Sequence, residues 1–239
     1  DILPIMMPKY FPAGMDKHHH RWLDVVTESD GAICISQAVA DSLHEWLDTH
    51  GPQRQRPFSI GWAHIAANID ASSPSKGLPT DSGAILKSLR EKPTFLMVGT
   101  VEPRKGYAQA IAAFERLWSG KQDINLVIVG KQGWNVHELT EKLAAHPQLN
   151  KKLFWLKGIS DEYLTQVYAA SNCLIAASEG EGFGLPLIEG AQHGLSIIAR
   201  DIPVFREVAG NHATYFEGAK AEMLADTIQQ WLARPASTR

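Results

Sequence analysis

Cysteine is scarce. Cys34 and Cys173 are the only two among 239 residues, too few for a disulfide framework, and no Cys/His spacing suggests zinc. Both lie in apolar, strand-like runs and read as reduced core thiols of a cytoplasmic protein. Long apolar runs are missing as well: none approaches the ~20 residues that cross a bilayer. The opening Asp1-Ile2-Leu3-Pro4 has neither the basic start nor the apolar middle of a signal peptide, and the absent initiator methionine suggests a fragment or a processed chain. Neither sign of charge dominates. The 23 Lys and Arg against 26 Asp and Glu give a net charge of −3, which argues against non-specific binding to nucleic acid. Nor is there an Asp-x-Asp pair to hold a metal against a diphosphate, a Gly-x-Ser-x-Gly nucleophile turn, or a Gly-x-x-x-x-Gly-Lys-[Ser/Thr] phosphate loop. His18-His19-His20 resembles a metal cluster but lies within Asp16–Asp24 and reads as a solvated polar face followed by a helix.

What is present from residue 93 onward is alternation. Short apolar runs at Phe95–Val98, Leu126–Val129, Leu153–Leu156, Cys173–Ala177, Ser196–Ala199 and Ala213–Phe216 predict strands. Amphipathic stretches at Tyr107–Trp118, Val136–Ala145, Asp161–Ala170, Leu187–His193 and Ala219–Leu232 predict helices between them. Asn135 with Glu138 three residues on has the form of a capping box, and Ser160 before Asp161-Glu162 is a good helix start. Repeated βα units imply an α/β fold, a Rossmann-like parallel sheet with helices on both faces. Ligands of such sheets bind at the carboxyl ends of the strands.

Residues 1–66 read differently. Asp30–Ser36 predicts a strand, Gln37–Leu47 a helix and Phe58–Trp62 a second strand, too little for an independent core, so this piece is expected to close a domain whose beginning is absent. Residues 67–92 have linker composition around Ser72-Ser73-Pro74-Ser75-Lys76-Gly77, with a helical turn or two at Ala84–Glu91. Residues 93–239 form the main domain.

Two strand-end loops carry the chemistry. Gly99-Thr100-Val101-Glu102-Pro103-Arg104-Lys105-Gly106 sets two cations beside a turn and ahead of a helix, which suits a diphosphate; its bland reading is a solvated turn. Ala177-Ser178-Glu179-Gly180-Glu181-Gly182-Phe183-Gly184-Leu185-Pro186-Leu187-Ile188-Glu189 places free amides and a helix start after a strand, where a phosphate is favoured. Proline suits the first position of that helix. Glu181 and Glu189, eight residues apart, can accept from hydroxyls, so a phosphate-bearing, hydroxyl-rich ligand such as a sugar nucleotide fits. Gly130-Lys131-Gln132-Gly133-Trp134 reads first as a tight turn with Trp134 as a core anchor, and second as a ligand-approach turn with Trp134 as a wall. Leu156-Lys157-Gly158-Ile159-Ser160 is a plain strand-to-helix turn that could also meet a nucleobase edge. Glycines 180, 182 and 184, with Asp201 about twenty residues on, approach a dinucleotide fingerprint. Leu185 stands where the last glycine belongs, and Glu179 and Glu181 would repel a pyrophosphate there, so a dehydrogenase is disfavoured.

In combination these segments resemble the retaining glycosyltransferases of GT-B fold in family 4, the glycosyl transferases group 1. The resemblance rests on Glu181-Gly-Phe-Gly-Leu-Pro-Leu-Ile-Glu189, on Gly99 to Gly106, on Val127-Ile-Val-Gly130, on Ser160-Asp-Glu-Tyr-Leu and on Val204-Phe-Arg-Glu-Val-Ala-Gly210. It covers residues 93–234 strongly and 24–70 more faintly, and Gly99–Tyr107 is similar to bacterial mannosyltransferases of O-antigen polysaccharide. It implies transfer of a hexose, mannose favoured, from a GDP- or UDP-linked donor to a saccharide or lipid-linked acceptor with retention by front-face attack. Arg104 and Lys105 would neutralise the diphosphate and Glu181 would contact the transferred sugar, these three forming the catalytic group. Glu189 would hold the ribose, with Gly99, Thr100, Gly130, Gly158, Phe183, Gly184 and Leu185 completing the donor site. No metal or other cofactor is expected. The resemblance also implies that residues 1–66 are the end of an N-terminal acceptor domain mostly missing here, that the isolated chain binds donor nucleotide weakly, if at all, and transfers little sugar, and that the full protein works in the cytoplasm, peripherally at the inner face of the membrane. A sugar-nucleotide epimerase of the same fold and a non-enzymatic sugar-nucleotide-binding module are the other readings.

Overall fold

The computed structural model describes residues 1–65 and 77–235. Residues 67–76 of the linker expected at 67–92 lie outside the described residues.

The chain opens with a short helix, α1 (Leu3–Met6), a 3₁₀ turn (Pro8–Tyr10) and α2 (Met15–Thr27), which contains all three consecutive histidines. Then β1 (Gly31–Cys34), α3 (Gln37–His50) and β2 (Ser59–Trp62) form a βαβ unit whose two strands pair in parallel. Ile2, Leu23, Leu43 and Trp46 pack into a small core around Cys34.

The larger layer begins at α4 (Ser82–Arg90), a full helix where only a turn or two was expected; it buries Leu86 and Leu89 against the sheet. Next come β3 (Thr94–Val98), α5 (Tyr107–Ser119), β4 (Asn125–Val129), α6 (His137–Ala144), β5 (Leu153–Leu156), α7 (Asp161–Ala169) and β6 (Cys173–Ala176). The chain finishes with α8 (Leu185–Gln192), β7 (Ser196–Arg200), α9 (Pro203–Ala209), β8 (Ala213–Phe216) and α10 (Ala221–Leu232). The six strands β3–β8 form one sheet in the order β5-β4-β3-β6-β7-β8, every pair parallel.

Burial on both faces explains why the strands read as unbroken apolar runs. Along β3, Phe95 and Met97 face a core shared with α5 and α10, while Leu96 faces a second core built on α4, α7, α8 and α9. Phe95 meets Phe114 and Trp231 edge-on at 5.5 and 5.1 Å, a geometry that adds to area burial. Chain order reverses between β3 and β6: the β-strands that follow β3 spread to one side, and those that follow β6 to the other. The crevice above such a switch point is where ligands sit in open α/β sheets.

Three local expectations are corrected. Asn135 does not cap α6; it takes φ +52°, Val136 occupies the cap position without a side-chain bond, and the Asn135 amide donates to the Phe11 carbonyl instead. Helix α8 starts two residues earlier than expected, so Pro186 is its second residue and Leu185 its first. Pro203–Ala209, given no helix by periodicity, forms α9 behind another early proline. Ser160 does cap α7, its hydroxyl accepting from the Tyr163 amide at 3.2 Å.

Candidate functional site

The loop after β3 is held rigidly at the switch point. Gly99 takes φ +135°, and its carbonyl accepts from the Tyr107 hydroxyl at 2.6 Å. A 3₁₀ turn at Pro103–Lys105 then aims both cations toward β6, and Gly106 closes it at φ +73°. A Cβ on Gly106 would stand 2.2 Å from the Ala177 carbonyl oxygen, so only glycine lets this loop press onto the end of β6. The Glu179 amide donates to the Arg104 carbonyl at 2.8 Å, joining the two strand-end loops through their backbones.

Across that joint the side chains form one charge cluster. Arg104 pairs with Glu181 and Glu102, each at 3.1 Å, and donates to the Gly180 carbonyl at 2.9 Å. Lys105 donates to the other oxygen of Glu181, which also accepts from the Ser178 hydroxyl at 2.8 Å. All four charged side chains are largely buried, from 8% exposed at Glu102 to 17% at Lys105. Burial pushes the Glu181 carboxyl up, but Lys105, Arg104 and the Ser178 hydroxyl more than offset it and hold the group below its ordinary value. Glu102 goes the other way: burial raises it, and Arg104 and Lys105 only partly compensate. Burial chiefly, with the nearby Glu181 and Glu102 charges, pushes the Tyr107 hydroxyl up too. The space among Lys105, Ser178, Glu181, Gly184 and Pro186 is only about 20 Å³, about the room of one water. A diphosphate entering this space would have to part Lys105 from Glu181.

The predicted residues divide accordingly. Arg104, Lys105 and Glu181 come together, with Gly99 at the rim. Gly184 caps α8 at φ +97°, its Cα packed on the Phe205 ring, and Leu185 opens that helix half-buried. Phe183 turns inward at 4% exposure, beneath the His64 ring at 5.2 Å. Thr100 is exposed. At Gly130 packing alone requires glycine: a Cβ there would stand 1.9 Å from the Gly99 carbonyl oxygen, so the two strand ends touch. Gly158 makes its turn at φ +60° beside the Lys131 stem. Glu189 lies one turn inside α8 and takes no part in the charge cluster; it accepts from the Tyr168 hydroxyl at 2.6 Å. Trp134 is neither core anchor nor free wall, because its indole donates to the Tyr10 carbonyl at 2.8 Å and stacks on Phe11 at 5.8 Å.

Other residues join the site that motif reading passed over. Tyr10 donates its hydroxyl to Glu179, so the segment before α2 spans from the β4 loop to the β6 loop. Asp1–Met7 packs directly on Gly180 and Gly182, and a cavity of about 410 Å³ opens there between α3, Glu181 and the start of α9. Glu102 and Ser178 both lie in the two strand-end loops, where the cations beside Glu102 were the available signal; Tyr10 carried none.

The profile of glycosyl transferases group 1 matches residues 83–239. The serotype-specific mannosyltransferase WbdA of Escherichia coli is 50% identical over 236 residues, which is 98% of this chain but 29% of that protein. The O-antigen chain mannosyltransferase RfbU of Salmonella typhimurium is 30% identical over 51% of this chain and 33% of its own length. This chain thus spans less than a third of the WbdA relative. Among solved structures, an α,α-trehalose-phosphate synthase (UDP-forming) of Burkholderia vietnamiensis superposes with a TM-score of 0.75 at 14% identity, covering 94% of this chain and 56% of that one. Sucrose-phosphate synthase of Thermosynechococcus elongatus gives 0.74 at 22% identity over 98% and 57%. At these identities the likeness speaks for a GT-B fold alone.

Proposed function

The chain belongs to the glycosyl transferases group 1 family, and on that premise we propose that it is the donor-binding part of a retaining mannosyltransferase. The donor is a nucleoside-diphosphate mannose, GDP- or UDP-linked, and the acceptor a growing O-antigen saccharide or its lipid-linked precursor. One observation carries the reading: Arg104, Lys105 and Glu181 converge from two separate strand ends onto the switch point of the sheet. Two cations beside rigid backbone suit a diphosphate and the charge that builds on it as the sugar departs. Glu181 then accepts from hydroxyls of the sugar, and Glu189 from the ribose. The diphosphate charge is met by these side chains, so activity should survive a chelator. Identity to mannosyltransferases along nearly the whole chain supports mannose as the sugar. Residues 1–66 are the closing elements of an acceptor-side domain. No helix among the described residues is long and apolar enough to cross a membrane, and we place the reaction in the cytoplasm, at the inner face of the membrane.

Calorimetry of this chain with GDP, UDP and NAD, and a donor panel on the intact protein with anomeric analysis of the product, test the proposal. Expected are binding of one nucleoside diphosphate in preference to NAD, and mannose transfer with its anomeric configuration kept. Preference for NAD, or epimerised donor without transfer, would refute it.

The ribose role has its own test. Glu189→Ala removes the carboxylate and also strands the Tyr168 hydroxyl, which is pushed up chiefly by burial and further by the Glu189 charge. Tyr168→Phe removes the same hydrogen bond but leaves the carboxylate. Nucleoside-diphosphate affinity is expected to fall about tenfold in Glu189→Ala, the loss of one charge-assisted bond, and to stay near wild type in Tyr168→Phe. Equal losses in both variants would mean that Glu189 acts only by supporting α7.

A further inference from the structure

A second carboxylate, far from the charge cluster in sequence, holds the turn that carries Glu181. Glu207 lies on α9 with its side chain 14% exposed. Its Oε1 accepts from the Gln37 amide at 2.7 Å and from His64 Nε2 at 2.7 Å, and its Oε2 accepts from the Ala38 amide at 2.9 Å. Gln37 and Ala38 open α3, whose first amides have no partner within the helix. An anion there satisfies both donors and meets the positive end of the helix dipole. Burial pushes the Glu207 carboxyl up, yet these three donors hold it below its ordinary value.

The two groups anchored by Glu207 both touch the glycine turn. Just before α3, buried Ser36 accepts from the Val39 amide at 3.2 Å and donates to the Gly182 carbonyl at 2.8 Å. His64, just after β2, lies against the Phe183 ring. Gly182 and Phe183 are the two residues after Glu181, so one carboxylate fixes a hydroxyl and an imidazole on either side of them.

We propose that Glu207 is a positioning residue for the glycosyl transfer assigned above, on which this inference rests. It pins Ser36 on Gly182 and His64 on Phe183, so that the turn keeps Glu181 aimed at the donor sugar. Without it, α3 loses the anchor of its first turn and His64 swings free, while the sheet and the cations stay in place.

The test has two arms. Amide hydrogen exchange on this chain is compared among wild type, Glu207→Ala, Glu207→Gln and Ser36→Ala. Exchange over 178–187 is expected to quicken about tenfold in Glu207→Ala and Ser36→Ala, less in Glu207→Gln, which keeps one acceptor oxygen. Thr94–Val98 and Leu153–Leu156 should exchange at wild-type rates. Unchanged exchange over 178–187 in Glu207→Ala overturns the proposal, and so does a uniform loosening that reaches the sheet. Should Glu207→Ala not fold, Ser36→Ala and Glu207→Gln decide by the same criterion. In the second arm, kcat of the intact protein should fall about a hundredfold in Glu207→Ala, as a misplaced group would cause, with nucleoside-diphosphate affinity kept within about twofold. Altered exchange with wild-type kcat overturns the role in transfer. A wild-type protein that neither binds nucleotide nor transfers sugar sinks the functional reading, and the exchange arm then judges the clasp by itself.

Discussion

Arg104→Ala is expected to be among the most damaging single changes in the chain, lowering the melting temperature and removing nucleoside-diphosphate binding together. The guanidinium is ion-paired with Glu181 and Glu102 and donates to the Gly180 carbonyl, in a nearly buried setting. Removing one member of a buried ion pair leaves the partner charge uncompensated, at a cost of about 3–5 kcal/mol. For a chain of this length that corresponds to roughly 10 °C in melting temperature. Here Glu102 loses its ion-pair partner while Glu181 keeps Lys105 and Ser178, and Glu102 already sits above its ordinary range because burial outweighs its cations. Arg104→Lys should recover little, since a compact ammonium cannot span the three acceptors that the planar fork reaches. Adding Glu102→Gln to Arg104→Ala should restore part of the lost stability but none of the binding. Calorimetric melting and titration with GDP and UDP separate these outcomes. A melting temperature in Arg104→Ala equal to wild type would show that the cluster adds nothing to folding.

That arrangement was half legible in the sequence. The alternation of elements could be read because strands covered on both faces, such as Leu126–Val129, leave no polar residue to blur the pattern. Arg104, Lys105 and Glu181 could be chosen because parallel α/β sheets bring all their strand ends to one crevice, so two charged strand-end loops had to approach each other. The converse failed at Asn135, where a capping pattern was satisfied on paper but the amide was used by Phe11, 124 residues away. At Gly130 the close neighbour is another loop, Gly99, and nothing local in the sequence separates that constraint from a ligand's approach. Glu207 lies within the Val204–Gly210 segment and Ser36 at the end of a predicted strand, but nothing in either segment points to their partners, which are 146 to 170 residues distant in sequence, counting Glu207 from Gln37 and Ala38 and Ser36 from Gly182. Sequence patterns register faces and turns; they do not register which distant backbone group a side chain meets.

Glu181→Gln is expected to move binding and turnover in opposite directions. Glu181 neutralises Lys105 and Arg104, and only about 20 Å³ is open beside Lys105 and Glu181. A diphosphate must compete with that carboxylate for the same cations. The amide keeps the shape and can still meet Ser178 but no longer neutralises the cations, so nucleoside diphosphate should bind about tenfold more tightly at low ionic strength, with the gain shrinking as salt rises. Turnover of the intact protein should nevertheless fall by about a hundredfold or more, because an acceptor aimed at the transferring sugar is lost. The pH dependence gives an independent check. The folded-state pKa of Glu181 lies below its ordinary value of 4.5, so its contribution to stability is complete above that pH and disappears as pH falls through the lowered folded value. Glu102 has the opposite sign, its raised carboxyl costing stability as pH climbs past the same ordinary value. Wild type should therefore lose stability more steeply than Glu181→Gln below pH 4.5, while Glu102→Gln should lack only the opposing loss above it. Weaker nucleotide binding in Glu181→Gln would mean that the carboxylate organises the cations for the diphosphate rather than competing with it, and the exchange of partners at the switch point would have to be abandoned.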